Sequence, residues 1–155
     1  MRNTEEALKW IVNILDKHKI PFQIAGGFAS RLYGSKRELA DIDINIPENR
    51  IQEIIGDVKD YITFGPEMSK DENWDLFMMT LKYQEQEIDI CVAESIKILN
   101  QNTKQFEKLV TDFSGSILKE IYGIKVPIIP IEELIIYKNK LSREVDLSDV
   151  REISI

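Results

Sequence analysis

Apolar residues recur at helical spacing over Leu8, Ile11, Val12, Ile14 and Leu15, which predicts an amphipathic first helix. Thr4 followed by Glu5 and Glu6 reads as its N-cap with acids in the first turn, and Pro21 places its end near residues 18–20. Period-two alternation then takes over. Residues 22–25 predict a short strand, Gly26-Gly27 break it, residues 28–33 fit two helical turns closed by Gly34, and residues 40–46 form a second strand. Pro47 with Glu48 predicts a helix through Ile51, Ile54 and Ile55. Residues 57–75 carry no clear period, and Gly65-Pro66 and residues 69–73 read as loop. Residues 76–83 and 87–92 then predict two strands around a polar turn, Gln84-Glu85-Gln86. The pattern predicts a helix over about 94–110, a hairpin of 117–121 with 124–128 around Tyr122-Gly123, a helix opened by Pro130 through Leu141, and a short last helix over 148–153.

The alternation also sorts the acids. In DIDINI, Asp41, Asp43 and Asn45 share one strand face, while Ile42, Ile44 and Ile46 share the other, which is core. In EIDICV, Glu87, Asp89 and Cys91 face one way, against Ile88, Ile90 and Val92. If the strands are neighbours, Asp89 joins Asp41 and Asp43. Carboxylates that close repel, at about 1 kcal/mol per pair at 4 Å even in water. The cluster calls for a counter-charge, and Mg²⁺ is the hard, oxygen-seeking choice. Two ions roughly 4 Å apart would suit nucleotidyl transfer. Strand, Gly26-Gly27 and helix form a turn whose backbone approaches phosphates closely and whose helix N-terminus offers free N–H groups. Ser30, one turn into that helix, is either a phosphate ligand or a packed small residue.

Composition narrows this picture. A chain of 155 residues with 43% hydrophobic and 30% charged residues is expected to form a single domain with a real core. There is no apolar stretch near the roughly 20 residues a membrane span needs. The polar, acidic start MRNTEEALKW predicts no secretory signal, so the expected location is the cytoplasm. One cysteine, Cys91, excludes an internal disulfide and a cysteine-rich zinc site; one histidine, His18, argues against a histidine-based triad or metal site. The net charge of −7 weighs against extended nucleic-acid binding. Trp74, Phe77, Met78 and Met79 read as core before they read as walls of a nucleobase or acceptor site.

The segment GGFASRLYGSKRELADIDINI, with Asp89 on a later strand, resembles the nucleotidyltransferase superfamily that includes DNA polymerase beta, the CCA-adding enzymes and the aminoglycoside nucleotidyltransferases. A glycine pair and aromatic ahead of D-x-D is most similar to the aminoglycoside and abortive-infection-toxin branches. Gly27 stands where minimal antitoxin-type members carry serine, so phosphate contact here falls to the backbone or to another side chain. The resemblance covers about residues 20–92. It implies an α+β nucleotidyltransferase fold, a small mixed sheet flanked by helices, with a C-terminal helical extension over about 93–155. A weaker echo in IPIEELIIYKNKLSREVDLSDV makes Lys138 the triphosphate contact, oriented by Arg143, Asp146 and Asp149.

The implied reaction is Mg²⁺-dependent transfer of a nucleoside monophosphate from an NTP, ATP foremost, to an acceptor hydroxyl, releasing pyrophosphate. Asp41 and Asp43 would bind metal. Asp89 would bind the second metal or act as general base, with Glu87 a substitute on the same face. Arg37 and Lys36, in the turn before the acidic strand, either reach phosphates or are free surface cations. The acceptor is a small molecule, a protein hydroxyl or an RNA end, held in one copy or across a homodimer. The competing expectation is a non-catalytic member that binds a nucleotide or a partner, such as half of a toxin–antitoxin pair. A D-x-D glycosyltransferase is disfavoured, because the glycine pair is not part of that pattern.

Overall fold

The computed structural model describes residues 1–47 and 50–154; Glu48, expected in a helix start, lies outside them. Helices α1 (Thr4–Lys17) and α2 (Gly26–Leu32) enclose strand β1 (Gln23–Ala25). Strand β2 (Asp41–Ile46) follows, then α3 (Ile55–Val58) between two 3-10 turns, Ile51–Ile54 and Lys59–Tyr61. Strands β3 (Ile62–Lys70), β4 (Trp74–Tyr83), β5 (Gln86–Val92), β6 (Lys97–Asn100), β7 (Gln105–Lys108), β8 (Ile117–Ile121) and β9 (Ile124–Ile128) complete the sheet, and α4 (Ile131–Leu141) and α5 (Glu144–Glu152) close the chain.

Among the described residues the strands form one mixed sheet in the order β7-β6-β4-β5-β2-β1-β9-β8, with β3 paired to β4. The registers that matter lie at its centre. Strand β2 runs parallel to β5, so Asp41 opposes Glu87, Asp43 opposes Asp89 and Asn45 opposes Cys91. Strand β1 runs antiparallel to β2, so Ala25 opposes Asp43 and Gln23 opposes Asn45. The back of these strands is core: Ile24, Ile42, Ile44, Ile88 and Ile90 are fully buried, together with Leu8, Ile11 and Leu15 of α1. Each such side chain contributes about 1.5–3 kcal/mol. Register is therefore fixed, because a one-residue slip would carry the isoleucines into the cleft and the aspartates into the core.

Four expectations are corrected. The N-cap of α1 is Asn3, whose side chain accepts from the Glu6 amide, while the Thr4 hydroxyl donates to Gln86. The predicted helix over 94–110 is instead β6 and β7. Its middle, Asn100-Gln101-Asn102-Thr103, is turn chemistry, with the Asn100 side chain accepting from the Asn102 and Thr103 amides. The helix expected after Pro47 breaks into the short turns around α3. The unread stretch becomes β3, where Gly65 and Pro66 lie among register shifts of a strand that, among the described residues, pairs only with β4, the setting in which a sheet tolerates proline. The two hairpins stand where expected. Gln84-Glu85 and Tyr122-Gly123 take positive φ at both turn residues, the geometry that matches strand twist.

Candidate functional site

The central strands present their second face to a cleft of about 400 Å³, roofed by the start of α2, by α4 and by Arg143. Asp43 sits on its floor beside Gly26. That glycine has φ +62°, and a Cβ placed there would lie 2.0 Å from Asp43 Oδ2. Only a residue without a side chain lets strand β1 turn into α2 over the carboxylate. The Gly26 amide donates to Tyr137 Oη at 2.7 Å, which ties the turn to α4. No one-dimensional pattern marks Tyr137 for this position.

The parallel register puts like charges together. Asp43 stands beside Asp89, and Asp41 beside Glu87. Burial, then the charges of Asp89 and Asp41, push the Asp43 carboxyl well above the usual range. Burial, the Asp89 charge and the Glu87 hydrogen bond raise Asp41 to about 6, against a smaller opposing pull from Arg2. Burial also raises Asp89, partly countered by the Thr80 hydroxyl that donates to it at 2.8 Å. Among the described residues no three acidic, histidine or cysteine side chains form a ready-made metal cage. The acids make an open wall instead: Asp43 and Asp89 meet, and Asp41 stands one strand repeat away, roughly 7 Å along the backbone.

The roof carries the opposite charge. Asp146 and Asp149 of α5 are fully buried. Arg37 holds Asp149 bidentately, at 3.1 and 2.8 Å, and the Ser35 hydroxyl donates to it at 2.8 Å. Lys138 Nζ lies 3.3 Å from Asp146 and 3.1 Å from Asp149, and Arg143 holds Asp146 through two nitrogens. Burial pushes the Asp149 carboxyl up, but the Arg37 and Ser35 hydrogen bonds and the Lys138 charge outweigh it and hold it down at about 2. Three cations thus surround two carboxylates. Arg37, Lys138 and Arg143 all line the cleft, and Arg143 lies 5.9 Å over the Trp74 ring.

Of the residues singled out from sequence, Gly26, Gly27, Arg37, Asp41, Asp43, Asp89 and Lys138 line this one cleft. Ser30 does not. It is fully buried and its hydroxyl donates to the Gly26 carbonyl at 3.2 Å, within its own helix, so the packed reading of that serine holds. Lys36 is exposed and its backbone amide reaches Glu152. His18 lies elsewhere, paired with Asp57. Trp74 and Met78 line the cleft, whereas Met79 is core.

No protein-family model matches the chain, and no curated protein matches it in sequence. Solved structures do. A Thermotoga maritima protein assigned as a nucleotidyltransferase aligns at 21% identity over 97% of this chain and 93% of its own, with a TM-score of 0.69. The lincosamide antibiotic adenylyltransferase LnuA, solved with lincomycin bound, aligns at 21% identity over 97% of this chain and 96% of its own, with a TM-score of 0.63. The nucleotidyltransferase ANT(2″)-Ia, in complex with adenylyl-2″-tobramycin, aligns at 17% identity over 95% of this chain and 85% of its own, with a TM-score of 0.55. With its mixed sheet and C-terminal helices, this chain has the nucleotidyltransferase fold.

Proposed function

We propose that this protein is a Mg²⁺-dependent nucleotidyltransferase that moves a nucleoside monophosphate from an NTP, ATP foremost, to an acceptor hydroxyl. The observation that carries this reading is the register of Asp43 against Asp89, with Asp41 beside them, on the floor of a cleft whose roof is cationic. Neighbouring carboxylates that crowd like charge together are a fitting donor set for a hard divalent cation. Asp41, Asp43 and Asp89 would hold it, and when bound it neutralises the acids and the triphosphate they face.

The chain's own residues supply the rest. The first-turn amides of α2 beyond Gly26, with Arg37, Lys138 and Arg143, face the triphosphate charge. Asp89 would either hold the second ion or, where it is left free of it, accept the proton of the acceptor hydroxyl. The new O–P bond forms at the α-phosphorus, the bond to the β-phosphate breaks, and pyrophosphate leaves with that electron pair.

Thermal unfolding with each NTP, with and without Mg²⁺, tests this. A nucleotide at 100 times its Kd should stabilise by about 2.7 kcal/mol. The shift should require Mg²⁺ and vanish in Asp43→Asn. No shift with any NTP would replace this reading by a non-catalytic, partner-binding one.

A further inference from the structure

Beyond the acids, the same sheet face continues for one more row of side chains, and that row is neutral. Asn45 stands two residues after Asp43, with Gln23 opposite it on β1 and Cys91 opposite it on β5. Gln23 is 1% exposed and lines the cleft. Its amide nitrogen is pinned, donating to the Asp112 carbonyl at 3.1 Å and to the Ser116 hydroxyl at 2.9 Å. The amide orientation is thereby set, and Gln23 Oε1 makes no hydrogen bond among the described residues. Asn45 is 6% exposed. Its Nδ2 makes one long contact, 3.5 Å, to the Thr111 hydroxyl, and among the described residues its Oδ1 makes none. Among the described residues no fully buried side-chain oxygen lacks a partner, so these two carbonyls are open to solvent on the side of the cleft they line. The surrounding wall is apolar, from Leu76, Met78 and Ile96, and Glu133 adds a carboxylate at the rim. Arg37, Lys138 and Arg143 are taken up by Asp146 and Asp149.

We propose that Gln23 and Asn45 form an acceptor subsite that reads hydrogen-bond donors on a small, partly apolar molecule. The inference rests on nucleotidyl transfer at the neighbouring acids. Two residues of strand separate Asp43 from Asn45, roughly 7 Å. The acceptor therefore carries its reacting hydroxyl at one end and a second donor, an amine or hydroxyl, about that far beyond it. A site built of acceptors rejects an analogue lacking the donor, because the site's own carbonyls are then desolvated without a partner. A phosphate at an RNA end would be repelled by the same oxygens.

The test uses trans-4-(aminomethyl)cyclohexanol and its isostere trans-4-ethylcyclohexanol, with lincomycin and tobramycin as larger donor-rich probes. A serine peptide and an oligoribonucleotide serve as the macromolecular contrasts. Pyrophosphate release is measured with ATP and Mg²⁺ on the full chain. The amine should exceed the ethyl isostere in kcat/KM by roughly tenfold or more. Asn45→Leu should bring that ratio near one while leaving the Mg²⁺-dependent ATP thermal shift intact, and Asn45→Asp should raise it. The idea falls if the wild-type ratio is one, or if Asn45→Leu leaves it unchanged. It also falls if that variant removes the ATP shift instead, which would put the nucleoside there. Turnover of only the peptide or the oligoribonucleotide, or of no probe while ATP and Mg²⁺ still bind, overturns it too. Absence of any ATP shift in the wild type is a different failure, that of the transferase reading itself.

Discussion

Two groups of aspartates face each other across the cleft, and they have opposite energetics. On the floor, Asp43 and Asp89 stand in register on parallel strands with Asp41 on the same face, among the described residues no cation is bonded to them, and their protons bind more tightly than usual. In the roof, Asp146 and Asp149 are more deeply buried, yet Arg37, Lys138 and Arg143 compensate them. Burial alone therefore does not decide what an aspartate does; the charge it is left with does. The roof is a finished ionic joint that fixes α5 and α4 to the turn before β2. The floor lacks that compensation, and the Mg²⁺ proposed above would supply it.

The largest expected difference is in activity. Asp43→Asn should reduce transfer by roughly 10³-fold or more, measured as acceptor-dependent pyrophosphate release. The same change should stabilise the metal-free protein at pH 8 by about 1 kcal/mol, because it removes a like charge from the pair. Asp149→Asn should do the reverse to stability. It strands Arg37 and half-strands Lys138 in the roof, at a cost of about 3 kcal/mol in chemical denaturation. If Asp43→Asn and Asp149→Asn destabilise alike, the contrast between floor and roof is wrong.

Gly26→Ala tests the hinge between the two groups. Its Cβ would meet Asp43 Oδ2, at a backbone φ that favours glycine, so floor and turn must part. The expected loss is about 1–3 kcal/mol from the backbone strain alone. Gly56→Ala, with open space around its Cβ, is the control and should change stability little.

The contrast also shows what could be read in one dimension. The floor was legible because period two is rigid: once DIDINI and EIDICV are strands, the faces of their acids follow, and so does the isoleucine core behind them. Gly26 was legible as a glycine between strand and helix, but the exclusion of a side chain there by the Asp43 carboxylate was not. The roof was legible only by resemblance, since Lys138, Arg143, Asp146 and Asp149 at helical spacing read equally well as a solvated face until α5 is folded over Arg37. Ser30 shows the limit of proximity in sequence: one turn into the helix put it near the cleft, but its direction sent it into the core. The stretch read as a helix over 94–110 failed for another reason. Ile96, Ile98 and Leu99 fit either period over so few residues, and pairing to β4 decided for strand. Tyr137 and Gln23 left no trace, because their partners lie 111 and 89 residues away.

The smallest predicted effect is the dependence of stability on pH, and here floor and roof must differ in sign. Asp41 is raised from 3.8 to about 6, so the folded protein binds its proton more tightly than the unfolded chain. Its contribution is fully present below pH 4 and is lost as pH rises through 6. Asp149 is lowered from 3.8 to about 2, so its contribution is present above pH 4 and is lost as pH falls through 2. Asp41 is partly exposed, so solvent screening reduces its limb to about 1 kcal/mol. Metal-free protein should therefore lose stability between pH 4.5 and 7 in denaturant titrations. Asp41→Asn should flatten that loss. Mg²⁺ should flatten it as well, since a bound cation supplies the charge the protons otherwise supply. A fall that neither the substitution nor Mg²⁺ alters would mean that the floor acids are as well compensated as the roof's, and the opposition between the two regions would not stand.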